Sequence, residues 1–417
     1  MRRKSQLGVM SVTLHARSKE SVVPERESVV FAENPLSPLS SPPMFRYRAV
    51  VPDLPSVEDY RPYLAEAHAA GWFSNFGPLC VRFEAVMAEA YGLPGEVCIT
   101  TSNATAGLSA ALLSCDRPGP VLAPAFTFPA SVGAIRAAGR QAIIMDVAVD
   151  TWTIDPRRLE SLLSRIDAAV VMLVAPFGLR RDFSEHIEVC RQHGAAVLID
   201  NAAGLGAERL PRSAAADVWE VNSLHATKPF GIGEGGLMFV HSSCEERVRA
   251  ALNFSLQAYT RTELPTWGFN GKMSELHAAV GLAQARRFAQ RLAGRRSFAA
   301  RYISELGGLE GLSMERQPDA GPWQVYPVLL PEPHAREAAI SAAALEGLEV
   351  RRYYHPSLSY WPALTVAEPC EVSESLAARM VALPVRSNAQ DEEADRIVEI
   401  AGRALRLALG LGAVGAA

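Results

Sequence analysis

From about residue 60 onward, short apolar runs alternate with helical segments, and this alternation constrains the fold more than any other feature. The runs at 97–100, 121–123, 142–147, 170–175 and 195–199 are apolar almost throughout, not at every second position. A strand with one wet face would alternate, so these runs predict strands covered on both faces. Helical segments lie between them at 104–114, 129–138, 156–165 and 183–193, and another precedes them at 82–91. Such alternation predicts an α/β fold, a mostly parallel sheet flanked by helices. A later strand is expected at 237–240 and a long helix at 274–293. The texture changes near residue 295, and the stretch closing on a helix at 391–407 predicts a smaller α+β domain. The expected organisation is a flexible leader (1–45), a large domain (46–294), a small C-terminal domain (295–408) and a flexible tail (409–417). The leader carries Pro35, Pro38, Pro42 and Pro43 among serines, too polar and too proline-rich to pack.

Composition excludes several classes. A net charge of −4 offers no electrostatic grip on nucleic acid or on an anionic membrane. The longest apolar run, 168–178, falls well short of the roughly 18 residues a membrane span needs. Six cysteines without a C-x-x-C pair read as small buried side chains in a reducing compartment, and no His/Cys/Asp cluster has metal-site spacing. No apolar stretch follows the basic N-terminus as a signal peptide would require, so a cytoplasmic location is expected.

Lysine is scarce: Lys4, Lys19, Lys228 and Lys272 stand against 37 arginines. Chemistry that needs a deprotonatable amine, which arginine cannot supply, is therefore confined in the folded body to Lys228 and Lys272. Lys228 sits in Ser223-Leu-His-Ala-Thr-Lys-Pro-Phe-Gly231-Ile-Gly233-Glu-Gly235-Gly236. A dinucleotide fingerprint would need a strand before these glycines and a helix after them, whereas the strand at 237–240 comes after. Glycines beside a lone lysine suit a chain squeezed past a planar group, and a solvated lysine on a glycine-rich turn fits the spacing equally well. Asp200 closes the apolar run at 195–199, where ligands of such sheets bind. Taken alone, it reads equally well as a helix N-cap.

Taken together, six ordered blocks resemble the DegT/DnrJ/StrS-type sugar aminotransferases, a pyridoxal-phosphate-dependent family of the fold-type I, aspartate-aminotransferase-like architecture. Besides the lysine block they are Gly71-Trp-Phe-Ser-Asn-Phe-Gly-Pro78, Thr101-Ser-Asn-Ala-Thr105, Pro124-Ala-Phe-Thr-Phe-Pro-Ala-Ser131, Gly268-Phe-Asn-Gly-Lys-Met-Ser-Glu275, and Arg351-Arg-Tyr-Tyr-His-Pro356 with Leu383-Pro384. The resemblance implies a large domain built on a sheet of the seven-stranded type. It also implies that Lys228 is the Schiff-base lysine and that Asp200 holds the pyridine nitrogen protonated. The Ala104 and Thr105 amides at a helix start, with the Thr105 and Ser223 hydroxyls, would cradle the phosphate. Phe128 would stack on the ring, and Asn270 would reach the phosphate from the neighbouring subunit of a homodimer with shared sites. Asn201, His225, Lys272, Tyr354 and His355 are candidates for substrate contacts. Two departures stand out: Ala203 replaces the usual Gln or His three residues after the aspartate, and Lys272 replaces an arginine often found there. The implied reaction is ping-pong transfer from an amino acid, glutamate or glutamine, to a keto-sugar, with Lys228 moving the proton. A cyclitol, sugar phosphate or natural-product ketone as acceptor, a sugar dehydratase and a non-catalytic cofactor-binding protein stay open as alternatives.

Overall fold

The computed structural model describes residues 45–210, 215–256, 267–388 and 390–411. All but the last residue of the expected leader, and most of the expected tail, lie outside these residues.

Two helices lead, α1 (Val57–Ala70) and α2 (Pro78–Tyr91). Ser56 caps α1 by accepting from the Asp59 amide, while the Asp59 carboxylate accepts from the Ser56 amide. Helix α2 starts earlier than the segment expected at 82–91. Pro78 needs no amide partner in the first turn, and the Glu275 carboxylate accepts from the Leu79 and Cys80 amides at 2.7 and 2.9 Å.

The predicted alternation follows: β1 (Glu96–Thr101), α3 (Ala104–Ser114), β2 (Val121–Pro124), α4 (Pro129–Ala137), β3 (Ala142–Met145), α5 (Pro156–Leu163), β4 (Val170–Val174), α6 (Ser184–Gln192) and β5 (Ala196–Asp200). Then come β6 (Val218–Ser223), β7 (Gly236–His241), α7 (Glu245–Ala251) and the long α8 (Glu275–Leu306). The rest comprises β8 (Ser313–Met314), β9 (Val325–Leu329), α9 (Pro333–Leu345), β10 (Thr365–Val366), α10 (Glu371–Arg379), β11 (Met380–Pro384) and α11 (Asp391–Ala408).

Among the described residues the large sheet has eight strands in the order β1-β7-β6-β5-β4-β2-β3-β10, seven of them longer and β10 a two-residue edge. Only β7 runs antiparallel to its neighbours. Both faces are dry, as the unbroken apolar runs require. Met172, Leu198 and Val221 pack with residues of α3 and α4, and Leu173, Val197 and Ile199 pack with those of α5 and α6. Each such side chain contributes about 1.5–3 kcal/mol on burial. Strand β6 escapes the pattern because Glu220 and Asn222 interrupt it, yet both are buried. Arg209 makes this possible by reaching Glu220 at 2.9 Å and Glu96 at 2.6 Å.

A second, antiparallel sheet runs β11-β9-β8 and encloses a core that includes Tyr302, Trp323 and Tyr326. The domain boundary expected at 294/295 falls inside α8, which continues through it. Among the described residues no helix is long and apolar enough to cross a membrane, and no group of His, Cys, Asp and Glu could hold a metal ion. All six cysteines are buried free thiols.

Candidate active site

Asp200 is the last residue of β5, at the carboxyl edge of the large sheet, and no helix follows it within 201–210. The N-cap reading of Asp200 therefore falls. The carboxylate is buried and held by two donors, Ser131 Oγ at 2.6 Å and the Ala202 amide at 3.2 Å. Ser131 lies in the first turn of α4, and its hydroxyl is 2.9 Å from Thr127 Oγ1. Burial pushes the Asp200 carboxyl above its usual range, against the pull of Ser131, Ala202 and the Lys228 charge.

Lys228 sits in the connection between β6 and β7, which is folded tightly on itself. Leu224 donates to Gly235 O at 2.9 Å, Ala226 to Gly233 O at 2.7 Å, and Lys228 N to His225 O at 2.8 Å. Two glycines permit this fold. Gly233 has φ +105°, and a Cβ on Gly231 would lie 2.7 Å from Ala226 O. Desolvation lowers the Lys228 amine to about 8, and the Asp200 charge works in the opposite direction. The amine donates to Gln324 Oε1 at 3.1 Å, a contact the sequence did not signal.

The start of α3 lies beside this pair. Gly236 is in register with Thr101 of β1 and with Ser223 of β6, so β1, β7 and β6 end together. Asn103 caps α3 through the Ala106 amide at 2.9 Å, not through those of Ala104 or Thr105. A Cβ at Gly236 would lie 2.8 Å from Ala104 N, so the glycine keeps that amide accessible. The Ser223 hydroxyl accepts from the His225 amide at 3.2 Å.

The remaining sequence candidates divide. Tyr354 joins the site, with its ring 5.3 Å from Phe177 and 5.1 Å from Phe126, and the Asp200 charge helps burial to raise its phenol. Phe128, directly before α4, is 56% exposed. Asn201 is turned aside, because its Nδ2 donates to Glu220 Oε1 at 2.9 Å. His225 is half-exposed, with Nδ1 2.8 Å from Thr227 Oγ1 and Nε2 3.6 Å from Glu234. His355 is largely exposed, and partial desolvation lowers its pKa with help from Arg336 and Arg352, not from the Lys228 region. Lys272 Nζ stands 4.6 Å over the Phe254 ring, without a hydrogen-bond partner among the described residues. Asn270 is exposed and bridges to Asn253. Ala203 is buried against Gly178, where a Cβ would lie 2.2 Å from Ala203 O.

Residues 56–401 match the DegT/DnrJ/EryC1/StrS aminotransferase family. The chain belongs to this family. Like the family, it is a pyridoxal-phosphate-dependent aminotransferase. It is similar to a dTDP-4-amino-4,6-dideoxy-D-glucose transaminase of Shigella dysenteriae, at 27% identity over 83% of this chain and 96% of that protein. It is also similar to a GDP-perosamine synthase of Caulobacter vibrioides, at 26% identity over 81% of this chain and 93% of that protein. Among solved structures, DesI determined in the presence of its TDP-sugar product matches with a TM-score of 0.78 and 26% identity, covering 88% of this chain and 97% of that one.

The residues of this DegT/DnrJ/EryC1/StrS aminotransferase fit the cofactor. A desolvated amine and a buried carboxylate, brought together at the ends of the strands, match an aldehyde and a ring nitrogen. The cradle at Gly236, which any side chain would fill, matches a phosphate at a helix start.

Proposed function

We propose that this aminotransferase moves an amino group from an amino acid, glutamate or glutamine, to a keto-sugar carried on a nucleotide. The observation that carries the chemistry is the placing of Lys228, on the tightly folded β6–β7 connection, near the buried Asp200 carboxylate that closes β5 and is held by Ser131 at 2.6 Å. The sugar reading is supported by the relatives named above, one a dTDP-sugar transaminase and one solved with its TDP-sugar product.

When bound, pyridoxal phosphate supplies an aldehyde that exchanges amines and a cationic ring that takes up an electron pair. Lys228 is the amine that carries it and, once released, the base and acid that moves one proton at the substrate carbon. An amine near 8 is suited to both directions of that transfer at neutral pH. Asp200 keeps the ring nitrogen protonated, and Ser131 and Ala202 keep Asp200 charged. Ala104 and Thr105 amides with the Ser223 hydroxyl hold the phosphate. Phe128, an apolar ring left largely exposed beside Ser131, covers the ring face. Tyr354 lines the acceptor pocket.

Homodimerisation belongs to the same proposal. Trp72, Phe73, Val81 and Leu276 are exposed apolar side chains on segments that Glu275 ties together through Phe73 O, Leu79 and Cys80, and Phe254 and Trp267 are exposed on stretches joined by the Phe254 amide and Phe269 O. Asn270 lies on the same segments and serves the phosphate of the partner's site.

The test is a two-stage screen. Amino acids added singly to the loaded enzyme should bleach its colour with glutamate or glutamine alone, and a nucleotide-linked keto-sugar should restore it. Borohydride should fix the cofactor on Lys228. A colourless protein with Lys228 intact, or fixation elsewhere, sinks the assignment.

A further inference from the structure

Among the described residues the Lys228 amine has one side-chain hydrogen-bond partner, and it comes from beside the second sheet. Gln324 immediately precedes β9, and its Oε1 accepts from Lys228 Nζ at 3.1 Å. Its Nε2 lies 3.5 Å from Thr227 Oγ1, the hydroxyl that His225 Nδ1 meets at 2.8 Å. The backbone on either side is fixed. Trp323 is fully buried; its carbonyl accepts from Arg295 Nη1 at 2.8 Å, and its indole N–H donates to Pro318 O at 2.5 Å. Val325 opens β9 in register with Pro384 of β11. The Gln324 amide thus reaches Lys228 from a rigid support.

We propose that Gln324 is a positioning residue for Lys228, its amide oxygen holding the ε-amine in place whenever that amine is not carrying the cofactor. The inference rests on Lys228 being the working amine.

Transamination frees this lysine in each half-reaction. A released lysine side chain regains about 2 kcal/mol of rotamer entropy, so an unheld amine spends little time aimed at the reacting carbon. One hydrogen bond from a fixed amide opposes that loss of aim. The neutrality of the acceptor matters as much as its place. A carbonyl oxygen accepts from an ammonium or an amine and adds no charge, so the lysine keeps the low basicity that burial confers. Asp200 is the charged group facing Lys228, while His225, reached through Thr227, and Tyr354, beside Asp200, are the other titratable neighbours. A carboxylate at position 324 would instead pin the proton on the lysine.

The experiment uses the full chain, stripped of cofactor and reloaded. In the stripped protein, acetic anhydride labelling read by peptide mass spectrometry follows Lys228 against only Lys4, Lys19 and Lys272. Wild-type Lys228 should label with a midpoint near 8. Q324E should raise that midpoint by about one unit, roughly tenfold slower labelling at pH 7, whereas Q324M, similar in length but without the amide oxygen, should not raise it. In the loaded enzyme, Q324M should slow the single-turnover rate with saturating glutamate about tenfold while KM for glutamate stays within about twofold. Q324E should lose rate at pH 7 and regain it near pH 9. An unmoved midpoint in Q324E, or a Q324M rate within about twofold of wild type, overturns the proposal. Borohydride trapping separates the two levels. Fixation on Lys228 with variants indistinguishable from wild type sinks this inference alone, and fixation elsewhere sinks the reading of Lys228 as well.

Discussion

A buried carboxylate that must stay charged depends on its donors, and Asp200 has two, Ser131 and Ala202. The side-chain donor can be removed cleanly. A hydrogen bond to a charged group contributes about 1.5–3 kcal/mol, so Ser131→Ala should raise the Asp200 pKa further, by about one unit or more. The sign follows from which form binds. The ring nitrogen keeps its proton against a carboxylate, so cofactor affinity falls as pH drops through the Asp200 pKa. Ser131→Ala should move that fall to higher pH, so that binding weakens most on the acid side of the profile and least on the alkaline side. Titrating stripped protein with cofactor across pH checks this, and an equal loss at every pH would point to disturbed packing instead. Lys228 and Asp200 were legible in the sequence because the chemistry demands rare types in constrained places, one of two lysines in the body and an acid closing a strand. Ser131 lay inside a recognised block but had no role there. Gln324 was invisible, because a lone amide beside a tryptophan is ordinary in any core.

At the scale of elements, the sequence shows what is apolar and conceals what is polar but compensated. Strands β2 to β5 announce themselves by unbroken apolar runs, whereas β6 hides behind Glu220 and Asn222, whose burial depends on Arg209 and on contacts distant in sequence. Glu275 works the same way: it starts α2 from the first turn of α8, far away along the chain. Helix α8 outruns its expected end at residue 293 and carries Gly294 in its interior. Its purpose is steric, since a Cβ there would lie 2.1 Å from Ser387 O. Helix propensity alone makes Gly294→Ala stabilising by about 1 kcal/mol. The contact reverses that sign, because the backbone of residue 387 cannot swing away as a side chain would, and overpacking of this kind costs about 1–3 kcal/mol. Denaturant unfolding should therefore show a lower midpoint with an unchanged slope. A stabilised variant would mean the α8 contact yields freely.

Across the whole molecule, the site draws on both sheets: Asp200 and Lys228 from the large one, Gln324 from the start of the small one. The sequence singled out the first two as candidates from a scarce lysine and an acid that closes an apolar run. It could not place the third, because which loop of one sheet meets which strand of the other is set by packing alone. The assembly adds one more level. If Asn270 serves the partner's phosphate, each site needs Lys228 from one subunit and Asn270 from the other. Lys228→Ala should then abolish turnover, and Asn270→Ala should weaken cofactor binding at every site of its own dimer. Mixed after dissociation, the two variants re-pair at random, and about half the dimers become mixed. Each mixed dimer then holds one site with both residues intact, Lys228 from the Asn270→Ala subunit and Asn270 from the Lys228→Ala subunit. At limiting cofactor the mixture should recover about a quarter of wild-type activity, where neither parent has appreciable activity. If Asn270 instead serves its own subunit, every site in the mixture lacks one of the two residues, and mixing restores nothing. The recovered activity therefore reads out directly whether the exposed apolar segments around Glu275 join two copies with shared sites.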